Sequence, residues 1–97
     1  MFKLTVEDVF VIRNRGVVAT GRVESGTLRV GDLVRINGAP GIPVDAIEQF
    51  RKKRDEANAG DNIGLLFKGI DKSQIGRGAV LTASGEAPPI ESTNVIV

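Results

Sequence analysis

Short apolar runs rich in Val and Ile recur along the chain, separated by Gly, Asn, Asp and Pro. Such spacing favours several short strands over helices. It predicts strands over Thr5–Arg13, Val17–Val23, Leu33–Ile36, Val44–Phe50, Ile63–Phe67, Ala79–Thr82 and Thr93–Val97. Asn14, Arg15 and Gly16 join the first two strands as a tight hairpin, with Gly16 free to take the positive φ that the loop needs. Ser25 and Gly26 make the next turn, and Gly31 and Asp32 punctuate the approach to the third strand. The Gly- and Pro-rich stretch Gly38–Pro43 is expected to be a loop that cannot continue a ladder. Asp71–Ile75 suits one helical turn, and Pro88 and Pro89 break the chain before Thr93–Val97, a closing strand or a free edge. Strands this short, with turn chemistry at each junction, predict an all-β fold: a closed six- to seven-stranded antiparallel β-barrel.

Alternation with period two assigns the faces. In Asn62–Phe67 it turns Ile63, Leu65 and Phe67 to the core and Asn62, Gly64 and Leu66 outward. Val9–Ile12 is apolar on both faces, so the exterior should carry an apolar patch. That patch reads equally as a functional surface or as mere cover, over a small domain's exterior or under a loop.

The chain has 97 residues, enough for a single domain over 1–97 that buries about two-thirds of its unfolded surface. An apolar fraction of 41% with 26% charged residues argues against disorder. Thirteen basic against twelve acidic residues leave a net charge of +1, so any contact with nucleic acid must be local. The chain has no cysteine and no histidine, which removes disulfides, thiolate nucleophiles and the common transition-metal ligands and suits the cytosol. No apolar run approaches the ~20 residues of a membrane helix, and neither a signal peptide nor a cofactor motif is present.

Val6-Glu7-Asp8-Val9-Phe10, the run from Arg15 to Gly26, and Val30-Gly31-Asp32 resemble the opening of the second domain of bacterial elongation factor Tu and related translational GTPases. Phe50-Arg51-Lys52, Ala59 to Leu66, and Gly76 to Leu81 resemble the rest of that domain in the same order. The likeness covers a core of 4–85 and leaves 86–97 as a C-terminal extension; the loop Gly38–Pro43 looks shorter than the family's, and Arg54 stands where the family usually has an apolar residue. An autonomous protein or a trimmed domain fits these differences. The glycines in these blocks read as backbone devices of the barrel.

The resemblance implies a binding module for the aminoacylated 3′ end of transfer RNA, with the terminal adenine in a pocket on the barrel surface. By resemblance Ile12, Val18 and Leu66 line that pocket, Glu48 contacts the terminal adenosine, Arg51 and Asn62 lie near the aminoacyl ester, and Glu7 belongs to the same site with Asp8 close by. The residue types suit such a ligand, because single-stranded RNA ends are read by apolar surfaces and by polar groups at base edges and 2′ and 3′ oxygens. On residue type alone Glu48 and Arg51 read equally as exposed charges at a strand end, and Asn62 as a turn cap. The basic run Arg51–Arg54, followed by Asp55 and Glu56, reads first as a solvated hairpin tip. A GTPase domain or the ribosome are the further partners implied; neither DNA nor a membrane is expected.

GTPases cradle phosphates in a glycine-rich loop ending in Gly-Lys-Ser or Gly-Lys-Thr, and the chain has none; Gly76-Arg77-Gly78 lacks both the lysine and the hydroxyl. The expectation is therefore a monomeric non-enzyme. A protein-interaction or structural barrel that has lost transfer-RNA binding is the alternative.

Overall fold

The computed structural model describes residues 1–84, so the segment Thr93–Val97 and the rest of the extension lie outside the described residues. A long hairpin founds the fold, β1 (Lys3–Ile12) against β2 (Gly16–Ser25). Gly16, at φ +141°, enters β2 as the turn chemistry requires. There follow β3 (Thr27–Arg29), β4 (Leu33–Ile36), β5 (Ile42–Pro43), β6 (Ala46–Gln49), β7 (Lys52–Arg54), β8 (Glu56–Asn58), β9 (Asn62–Phe67), a 3-10 turn at Lys72–Gln74 and β10 (Val80–Ala83). Eight strands form one antiparallel sheet in the order β5-β4-β10-β1-β2-β9-β6-β7, while β3 and β8 pair as a separate ribbon.

The all-β barrel architecture stands, but its closure does not. The sheet curls into a half-barrel whose edge strands β5 and β7 are not paired with each other. The chain instead crosses the gap itself. Ile42 and Pro43 pair with Val34 and Leu33 on β4, and after Val44 and Asp45 the same run pairs through Ala46, Ile47 and Glu48 with β9. The expected single strand Val44–Phe50 is thus divided between two partners, and Phe50 falls in a turn. Gly38–Pro43 was expected to leave the ladder entirely, yet Ile42–Pro43 joins it. Proline is tolerated there because β5 is an edge strand, where an absent amide costs no bond.

Leu4, Leu28, Ile47, Leu65, Phe67 and Leu81 are completely shielded, and Phe2, outside the expected first strand, is also in the core at 2% exposure. Among the described residues no polar or charged side chain is buried, so the available chemistry lies on the surface. No helix among them is long and apolar enough to cross a membrane.

Candidate functional site

The sheet register fixes which side chains share the outer face. One row runs Asp8, Thr20, Gly64, Glu48 and Lys53 across β1, β2, β9, β6 and β7. The next runs Phe10, Val18, Leu66 and Ala46, with Ile12 a step further along β1, opposite Gly16. Asn62 lies beside Arg22, on the other side of the Glu48 row. Five of the expected residues, Ile12, Val18, Glu48, Asn62 and Leu66, therefore occupy one face of three neighbouring strands and β1.

Glu7 reaches the same region by an irregularity. Val6 pairs with Gly21 and Asp8 with Thr20, which leaves Glu7 as the unpaired extra residue of a bulge. A bulge re-aims a side chain out of strict alternation. Arg77 braces it, donating from Nε to the Glu7 carbonyl oxygen at 3.1 Å, with Asp8 Oδ1 at 3.7 Å.

Glu7, Glu48 and Asn62 line a shallow depression of about 260 Å³ together with Thr20, Gln49 and Phe50. Gly64 forms part of its floor. A Cβ there would stand 3.2 Å from Cγ1 of Val18, so the missing side chain is what keeps the hollow open. Two carboxylates and no cation line it, an arrangement suited to hydroxyl or ammonium donors rather than to phosphate. A larger groove of about 470 Å³, between the β4–β5 connection and the 3-10 turn, contains none of the expected residues.

Two expected residues behave differently. Arg51 lies on the exposed β6–β7 turn, at φ +66°, and is not among the residues that line the hollow. Leu66 faces outward, as its alternation implies, but it is only 4% exposed. The outer apolar patch is instead carried by Phe10 and Ile12, at 52% and 36% exposure, while Val11 shares the opposite face of the hairpin with Val17.

Glu48 has a partner that local sequence did not suggest. Nη2 of Arg15, in the β1–β2 turn, lies 3.0 Å from Oε2 of Glu48. Both side chains keep 31–40% of their surface, so the pair contributes on the order of 0.2–1 kcal/mol. Arg54 is drawn to Gln49, while Lys52 and Lys53 are exposed, as a solvated hairpin tip requires.

The family model described as Elongation factor Tu domain 2 matches residues 16–82, more than half of the chain. The chain belongs to the elongation factor Tu domain 2 family. The match begins at Gly16, the first residue of β2, and ends at Thr82 in β10. It thus takes in every strand of this domain-2 fold except the first, and with them Val18, Glu48, Arg51, Asn62 and Leu66; Glu7 and Ile12, on β1, precede it.

Proposed function

We propose that this translation-factor domain is a binding module for the 3′ aminoacyl-adenosine end of transfer RNA, with no GTPase activity of its own. One observation carries the reading: Glu48, Asn62, Val18, Leu66 and Ile12 meet on one outer face, and the Glu7 bulge brings a second carboxylate to the same hollow. The terminal adenine lies on the apolar row of Ile12, Val18 and Leu66. Glu48 accepts from a ribose hydroxyl, Asn62 and Glu7 flank the aminoacyl group, and Arg51 reaches the ester from the neighbouring turn. The exposed Phe10 on this face favours a protein contact as well, with a GTPase domain or the ribosome, in the cytoplasm.

Nuclear magnetic resonance titration with an aminoacylated and a deacylated RNA minihelix tests the reading. Shifts should gather at Glu7, Ile12, Val18, Glu48, Arg51, Asn62 and Leu66, and should be larger for the aminoacylated RNA. Shifts centred on Lys52, Lys53 and Arg54 that vanish steeply with salt would identify a nonspecific basic patch instead. Calorimetry with GTP at micromolar concentration should give no saturable heat.

A further inference from the structure

Thr82 on β10 is flanked by Arg35 on β4 and Lys3 on β1, and two residues further along β1 Thr5 pairs with Arg22 on β2. Arg35, Lys3 and Arg22 therefore form a cationic strip on the outer face of four neighbouring strands. Glu24 on the same face is already engaged, accepting from Thr5 Oγ1 at 2.6 Å with Lys3 Nζ at 3.9 Å. Among the described residues the guanidinium groups of Arg22 and Arg35 have no hydrogen-bond or ion-pair partner, although Arg35 is half-buried. A half-buried cation loses hydration that an anion would make good. The chain carries such anions nearby. All thirteen Lys and Arg residues precede Gly85, whereas Glu86 and Glu91 follow it with no cation among residues 85–97. The chain leaves β10 at Ser84, whose amide donates to the Leu33 carbonyl oxygen at the start of β4.

We propose that this strip holds the chain's own acidic segment, with Glu86 at Arg35 and Lys3 and Glu91 at Arg22. Gly85 supplies the reversal that turns the segment back over the sheet. Glu86 is only four residues beyond Thr82, the residue between Arg35 and Lys3. The second pair is a matter of span. Arg35 and Arg22 are three strand spacings and one two-residue repeat apart, about 16 Å at ordinary sheet dimensions. Pro88 and Pro89 favour extended polyproline backbone between the two glutamates, and five residues at about 3.1 Å each cover the same span. Exposed pairs of this kind are weak singly, but a tethered segment meets its site at roughly millimolar effective concentration, so a few suffice. Asn62, the cross-strand neighbour of Arg22, lines the hollow, so the segment beyond Glu91 reaches that rim. The inference stands independently of the 3′-end reading.

Because the chain has no cysteine, Ser92→Cys places a single nitroxide label beside Glu91 in the full chain. Paramagnetic broadening should be strongest at the amides of Thr5, Arg22 and Asn62. Glu86→Gln with Glu91→Gln, which leaves the sheet untouched, should reduce that broadening roughly threefold, and so should Arg22→Gln with Arg35→Gln. Raising the salt to about 1 M, where the Debye length falls to about 3 Å, should act in the same direction. Mixing nitroxide-labelled protein with a label-free, nitrogen-15-enriched copy separates contacts within a chain from contacts between chains. Broadening only between copies, broadening centred instead on Ile36, Ile42 and Ile70 in the larger groove, broadening with no preferred site, or a pattern that survives the glutamate changes overturns the proposal.

Discussion

Leu66 shows how far a single residue can be read from its place in a strand. Alternation assigns it correctly to the outer face, opposite Ile63, Leu65 and Phe67, but alternation describes only the strand that carries the residue. Its cross-strand neighbours Val18 and Ala46 lie on other strands, and the Arg15–Glu48 pair joins residues 33 apart. No local pattern announces such a partner. The same limit hid the burial of Phe2 near the N-terminus, while the outward face of Asn62 was legible from strand phase, and Glu48 and Val18 were singled out by the family resemblance alone. If Leu66 is packed as its 4% exposure implies, Leu66→Ala should cost about 2–4 kcal/mol, as truncations of buried leucines do. Urea unfolding measures this. A loss below ~0.5 kcal/mol would mean that Leu66 behaves as an exposed residue and that nothing rests on it.

Elements bring in backbone conformation, which composition constrains only through glycine and proline. The β6–β7 hairpin turns on Phe50 at φ +53° and Arg51 at φ +66°, the two positive values of a type I′ turn, in which Asn-Gly is strongly preferred. A bulky residue is costly there, so the turn is strained, and Phe50 at 85% exposure recovers little by packing. Sequence alone extended the strand through Phe50, because an aromatic residue reads as strand; the turn wins because β7 must pair back on Gln49, Glu48 and Ile47. Replacing Phe50-Arg51 by Asn-Gly should therefore raise stability by about 1–2 kcal/mol in urea while weakening the minihelix complex. No gain in midpoint would show that the turn is unstrained. The 3-10 turn was more legible, since Asp71 and Gln74 form a capping box around it. The Ser73 side chain and the Ser73 amide donate to Asp71, and these bonds hold its carboxyl below the ordinary value of 3.8. A carboxyl lowered in the folded state supplies its stabilisation in full above that value and loses it as pH falls through the lower folded one. The Ser73 amide signal should thus titrate with a midpoint below 3.8, and Asp71→Asn should abolish that step. A midpoint above 3.8 would contradict the cap.

The whole molecule is a curled sheet, with β1 between β10 and β2, so residues 3–5 meet residues 80–82 and neither end of the described chain is dispensable to the ladder. All-β character was legible from strand spacing; the gap between β5 and β7 was not, because it depends on one run of chain changing partners at Val44 and Asp45. The outer face of β1, β2, β9 and β6 is broad and its hollow shallow, and this bounds the affinity it can offer. Its hollow of about 260 Å³ and a single apolar row provide stacking for one base and a few hydrogen bonds. Base stacking on protein contributes roughly 1–3 kcal/mol, and a millimolar complex already needs about 4 kcal/mol, so the domain by itself should bind the aminoacylated 3′ end with a Kd of roughly 1 mM. Few phosphates are neutralised by a hollow lined with two carboxylates, so Kd should rise only gently between 50 and 200 mM salt, by far less than the roughly 10³-fold of a protein making six phosphate contacts. Glu48→Ala and Arg51→Ala should each weaken binding severalfold; urea unfolding should show a stability change within ~0.5 kcal/mol for the exposed Arg51, and within ~1 kcal/mol for Glu48, which loses its Arg15 pair. Chemical-shift titration reads this range directly. Micromolar binding that survives both substitutions would place the RNA elsewhere on the molecule, and the acidic hollow would then have to serve a ligand other than a transfer-RNA end.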